Sequence, residues 1–206
     1  MKTVGVLLLP IFALTLLSAS NAFAQGDKSY YFVAYFSNAN TGGAPDAVLR
    51  LINDGDASTA QVEGVPNGTL YASIYTFDDS QEMQECCNCT VTADGILSES
   101  VNQNLTSNTL TGRQETSRGV VKIISSSSSD PTNNVLTPGL RGYMTHVQST
   151  TNIPSKGPFF VSETALPDSN LVSTEQEDIE ETCGFIFTLG GRTWGICSCT
   201  PEDYDF

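Results

Sequence analysis

Six cysteines carry most of the chemistry open to this sequence, and they fall into two groups. One is Cys86-Cys87-Asn88-Cys89; the other is Cys183 followed by Cys197-Ser198-Cys199. Thiolates at such short range present three options: a metal site, a redox pair or disulfides. Zinc sites space their ligands as C-x2-4-C pairs, which neither group matches well. A redox pair wants C-x-x-C, and Cys86 with Cys89 has that spacing, although Cys87 lies inside it. Structural disulfides are the favoured reading, because the count is even and the chain carries an export signal. Adjacent Cys86 and Cys87 are poor partners for each other, since a bridge between neighbours is strained. Three bridges between the groups are therefore expected, although six cysteines allow fifteen pairings and the sequence does not choose among them. Bridging across about 95 residues would stabilise the fold by about 4–5 kcal/mol on the chain-entropy account.

Other chemistry is sparsely marked. His146 is the sole histidine, so a Ser-His-Asp mechanism would have to use it, and no G-x-S-x-G elbow accompanies it. A structural or surface His in a strand is the expectation. Asp78-Asp79 and Glu82 lie near a strand end, yet nothing singles them out as a carboxylate pair. The chain has no P-loop, dinucleotide fingerprint or H-E-x-x-H motif. Asp54-Gly55-Asp56 and Asp203-Tyr204-Asp205 offer hard oxygen ligands, but neither continues into a calcium loop, so solvated turns are expected. Asn67-Gly68-Thr69, Asn88-Cys89-Thr90 and Asn104-Leu105-Thr106 are glycosylation sequons. No catalytic residue, cofactor or metal ligand is assigned from the sequence.

The elements that must position these residues belong to a short, acidic chain. Its 206 residues carry 9 Lys+Arg against 23 Asp+Glu, a formal charge of −14. That balance excludes a nucleic-acid partner, which needs clustered positive charge, and disfavours an anionic membrane surface. Lys2, the apolar run 4–17 and Ala22-Phe23-Ala24 read as a secretory signal cleaved after Ala24. The expected product is secreted or periplasmic, free of the membrane after cleavage, and a single β-rich domain over 25–206 with an acidic tail at 201–206. Removing the leader drops the apolar share below that usual for a globular domain, so the core must be thin.

Short apolar runs rich in β-branched and aromatic residues, bounded by turns, predict strands. They fall at 30–36, 47–52, 70–77, 96–101, 120–124, 140–147, 159–164, 185–189 and 194–197. Eight to ten such strands fit an antiparallel β-sandwich or a barrel-like domain, stapled by disulfides. In 70–77, Leu70, Ala72, Ile74 and Thr76 would share one face, and Tyr71, Ser73, Tyr75 and Phe77 the other. The aromatic sides of 30–36 and 70–77 are read as core rather than as a contact surface. Cys197 and Cys199, two apart in a strand, would point the same way. One short helix is expected near 173–184, with a capping box at Ser173-Thr174-Glu175-Gln176 and Gly184 as its stop. The segments 102–118 and 125–139 are polar, and the serine run 125–129 reads as a loop.

The run from Tyr75 to Cys89, ending Glu85-Cys86-Cys87-Asn88-Cys89, is distinctive. Taken with Asn104-Leu105-Thr106-Ser107-Asn108-Thr109-Leu110-Thr111-Gly112 and Cys183…Cys197-Ser198-Cys199, it resembles a group of uncharacterised bacterial exported proteins. The resemblance implies bacterial export and a shared ECC-x-C…C…C-x-C frame, and it brings no activity or catalytic residues. The functional expectation is an exported, disulfide-stabilised β domain. It would act by binding a protein or carbohydrate, or as a cell-surface or extracellular structural component, without catalysis. The alternatives are a carboxylate-based hydrolase acting on polysaccharide, a metal-handling protein and an extracellular filament subunit.

Overall fold

Alternating burial along the strands builds a two-sheet sandwich. In this computed structural model the described residues are 29–57, 59, 64–110, 116–150, 157–191 and 194–199. The signal read at 1–24, its cleavage after Ala24, and the tail 201–206 with Asp203 and Asp205 lie outside them. In chain order the elements are β1 (Tyr31–Ser37), β2 (Val48–Asn53), β3 (Leu70–Asp78), β4 (Met83–Val91) and β5 (Ile96–Ser100). A single π-helical turn (Val101–Leu105) follows, then β6 (Arg118–Ser126), β7 (Leu140–Ser149), β8 (Phe159–Ala165) and α1 (Ser173–Leu189). One sheet has the order β1-β6-β3-β4 and the other β5-β2-β7-β8, with antiparallel pairing throughout.

Two cores result, one on each side of the first sheet. Between the sheets lie Phe32, Phe36, Leu49, Leu51, Leu70, Ile74, Ile123 and Met144, among others. On the outer face of the first sheet, Tyr31, Tyr75, Cys86 and Ile124 pack against Ile179, Cys183 and Ile186 of α1. β3 follows its expected alternation, sending Leu70, Ala72 and Ile74 inward and Tyr75 and Phe77 beneath the helix. The aromatic side of β3 and Tyr31 of β1 are thus core, as the sequence predicts, whereas Tyr35 of β1 is 53% exposed. Within the first sheet, strands approach closely at Gly119 of β6, where a Cβ would stand 2.1 Å from the Phe77 carbonyl oxygen of β3.

Several local expectations need correction. Residues 185–189 are not a strand but the last turns of α1, which runs through Gly184 and ends at Gly190. Gly184 is tolerated there at a cost of about 1 kcal/mol relative to Ala. The capping box does not form. Val172 occupies the cap position without a side-chain bond, and Glu175 instead accepts from the Tyr31 hydroxyl at 3.2 Å and from Lys122. Those contacts anchor the start of the helix to the sheet, and the Lys122 ammonium also sits 4.6 Å from the centre of the Phe77 ring. Residues 194–197 contribute only a single bridge, Ile196 to Cys86, in parallel. Ser125 and Ser126 belong to β6 and are fully buried, so the loop starts two residues later than the serine run. β4, which carries the first cysteine group, is an additional strand.

Candidate functional site

The three disulfides meet at β4. Neighbouring residues of a strand point to opposite faces, so Cys86 faces α1 while Cys87 and Cys89 face the space between the sheets. Cys86 bonds Cys183 of the helix, Cys87 bonds Cys197, and Cys89 bonds Cys199. The last two form because Cys-x-Cys on β4 and Cys-x-Cys in the segment 194–199 run side by side in parallel. Cys86 N–H donates to the Gly195 carbonyl at 2.9 Å, and Cys197 N–H to the Cys86 carbonyl at 3.3 Å. β4 is an edge strand of its sheet, and this segment covers that edge. Every bridge joins the two cysteine groups, as expected. The sulfurs of Cys87, Cys89 and Cys199 lie within 4.8 Å of one another, but in disulfides they are not the thiolates a metal requires. Bridges of this kind belong to an oxidising compartment.

A cleft of about 560 Å³ opens beside these bridges. Its walls are Asn88 of β4, Ser129 to Thr132 of the loop after β6, Gly184 and Phe187 of α1, and Ile196 with the disulfides of Cys87 and Cys89. The loop is held by a buried polar network. Asn134 donates to the Tyr75 hydroxyl at 2.7 Å and to Glu180 of the helix at 2.9 Å, and it accepts from Ser73 at 2.6 Å. Tyr75 in turn donates to the Pro131 carbonyl at 2.6 Å. Burial raises the Tyr75 hydroxyl above its ordinary pKa, so it remains a donor at any physiological pH.

Away from the cleft wall made by Gly184 and Phe187, the end of α1 and the residue leading into the bridged segment expose apolar side chains. Phe185 is 59% exposed, Leu189 60% and Trp194 56%. Phe185 and Leu189 are four apart on the helix and share a face. The Trp194 backbone returns to the helix end, where its N–H donates to the Gly190 carbonyl at 3.3 Å. Exposed apolar surface marks contact sites where it is contiguous. The sequence reading missed it, because residues 185–189 in a strand would have buried alternate side chains. The single Trp beside a C-x-C was the available signal.

The remaining candidates separate widely. His146 lies in β7, fully buried, with its ring stacked on Tyr35 at 4.2 Å and Nε2 2.8 Å from the Thr164 hydroxyl. No carboxylate among the described residues bonds it, and desolvation lowers its pKa. Asp78 is also buried. It accepts from Ser80 N–H and Glu82 N–H and from Gln84 Nε2, shaping the β3–β4 turn. Asp79 pairs with Arg118 on the surface. Asp54 accepts from Asp56 N–H across the Gly55 turn. Glu85 of β4 is the acid whose pKa is clearly raised, to about 7, by burial. A general acid must reach its substrate, and Glu85 is sealed from solvent. Of the three sequon asparagines, Asn67 is exposed on a turn. Asn88 donates to Ser73 and to the Ser128 carbonyl, and Asn104 is buried against Ser100 and Ser198.

Comparison with known proteins returns no matching family model, no matching curated protein and no matching solved structure. No helix among the described residues is long and apolar enough to cross a membrane.

Proposed function

We propose that this chain is an exported, disulfide-stapled binding domain without catalysis, released by cleavage after Ala24. Its contact surface is the exposed apolar group of Phe185, Leu189 and Trp194 at the end of α1. One observation carries the reading: three large apolar side chains stand more than half exposed on the corner that all three bridges immobilise. A backbone tied down by bridges before binding loses little entropy when a ligand arrives. The exposed flat ring of Trp194 suits a saccharide chain, whose apolar faces stack on aromatics.

Trp194 is the only tryptophan, so its fluorescence reports on this surface alone. Titration with soluble cello- and chito-oligosaccharides is expected to shift the emission to shorter wavelength. A Trp194→Ala variant, followed by calorimetry, should bind at least about tenfold more weakly. An emission unmoved by either series, or binding undiminished by the substitution, would overturn this surface assignment.

A further inference from the structure

β8 is the one strand of the second sheet whose outer edge and both faces lie open among the described residues. It pairs with β7 alone, and six of its seven residues are exposed, Phe160 by 67% and Val161 by 52%. The edges of the first sheet are treated differently. β4 is covered by the bridged segment, and β1 is met by Asp168 and by Ser169, whose N–H donates to the Tyr31 carbonyl at 3.0 Å. β8 also lacks the usual protection of an edge, having no proline, no lysine and no bulge. Its pairing with β7 runs unbroken from Ala165 to Phe159. A flat strand of this kind has a full row of backbone donors and acceptors to offer a second strand.

The charge distribution indicates whose strand that is. The chain carries −14, so two copies repel across most of their surfaces. β8 is neutral in effect, because its single charge, Glu163, is paired with Arg50 of β2. Two copies therefore meet there at the least electrostatic cost. A foreign partner chosen by an acidic protein would carry positive charge, and β8 holds no unpaired carboxylate to recognise it.

We propose that two copies of this chain associate through β8, antiparallel about a two-fold axis at Ser162. Ser162 is the midpoint of the strand, so the overlap is complete. Phe160 lies opposite the partner's Thr164, and Val161 opposite the partner's Glu163. The four-stranded sheet becomes one of eight strands, closed by symmetry and without further growth. Because the remaining charge repels, added salt strengthens the dimer.

Sedimentation equilibrium of the disulfide-intact protein over a wide concentration range tests this at low salt and at about 0.5 M NaCl. A monomer–dimer equilibrium is expected, with a dissociation constant that falls as salt is added. Val161→Lys, at an exposed position, should weaken it at least tenfold while circular dichroism and disulfide content stay unchanged. A protein monomeric at every concentration, a dimer weakened by salt, or one indifferent to Val161→Lys would each overturn the proposal.

Discussion

Full reduction of the three disulfides is expected to unfold this chain. The bridge from Cys86 to Cys183 closes a loop of 97 residues, worth about 4–5 kcal/mol on the chain-entropy account. Once it is present, the bridge from Cys87 to Cys197 closes only the short ring through Cys86 and Cys183, about 15 residues and ~3 kcal/mol. The bridge from Cys89 to Cys199 then closes a ring of about four residues, adding ~2 kcal/mol or less. The total is on the order of 10 kcal/mol, comparable with the entire stability of a domain. The bridges are therefore unequal. Replacing Cys86 and Cys183 by alanine should cost about 3 kcal/mol, because the other two bridges still tie β4 to the chain end but leave α1 unlinked. Replacing Cys89 and Cys199 should cost less. Urea denaturation of the two double variants, kept oxidised, measures that order. Equal losses, or a fully reduced protein that keeps its near-ultraviolet circular dichroism, would count against the staple.

The second large effect concerns Glu85. Its carboxyl is fully buried beside the bridges, and one oxygen accepts from Asn108 N–H at 2.6 Å. Its other oxygen has no partner among the described residues, and neither has the hydroxyl of Thr76, directly opposite on β3. Burial raises its pKa to about 7 from an ordinary 4.5. The folded state therefore holds a proton that the unfolded state releases between those values. Stability from this group is complete below pH 4.5, falls as pH rises toward 7 and is level above it. The fall amounts to ~3 kcal/mol. Glu85→Gln, neutral at every pH and still able to accept from Asn108, should be more stable than the wild type by about that amount at pH 8. Near pH 4.5 the two should match. His146 works in the opposite sense, since its lowered pKa removes stability as pH falls below 6.5. Subtracting the two pH profiles, measured by urea denaturation, isolates Glu85, because His146 is common to both. A difference that does not change with pH would show that Glu85 ionises freely in the folded protein.

Much of this architecture was legible in the residues, for reasons that also explain the gaps. Alternation in β3 was readable because its two faces meet two different apolar layers, so both sets of side chains are marked. β4 was not readable. Its inward face is built from Glu85, Cys87 and Cys89, which carry little hydrophobic signal, and covalent bonds and neighbouring strands hold it in place. The sequence Phe185-Ile186-Phe187-Thr188-Leu189 has the β-branched and aromatic content of a strand, yet it is helical. Ile179, Cys183 and Ile186 fall on one helical stripe over Tyr31, Tyr75 and Ile124, and that packing, fixed by the Cys183 bridge, outweighs local propensity. Ser173 does not cap α1 because the helix starts one residue earlier, with the Val172 carbonyl accepting from Gln176 N–H, and the Gln176 side chain donates to Glu180 instead of returning to the helix start. The cysteines showed that the two groups would pair but not which with which. That choice depends on Cys86 and Cys87 facing opposite sides of β4, which requires β4 to be known as a strand. The exposed patch at Trp194 follows from the same helix, so it was hidden by the same misreading.

β4 is bridged from both faces, to the helix by Cys86 and to the segment 194–199 by Cys87 and Cys89. Disulfide-linked peptides from the unreduced protein, fragmented by electron transfer between the adjacent cysteines, test it directly. The expected bonds are Cys86 to Cys183, Cys87 to Cys197 and Cys89 to Cys199, with no free thiol. A bond within either group, such as Cys197 to Cys199, or a crossed pairing of Cys87 with Cys199, would contradict it.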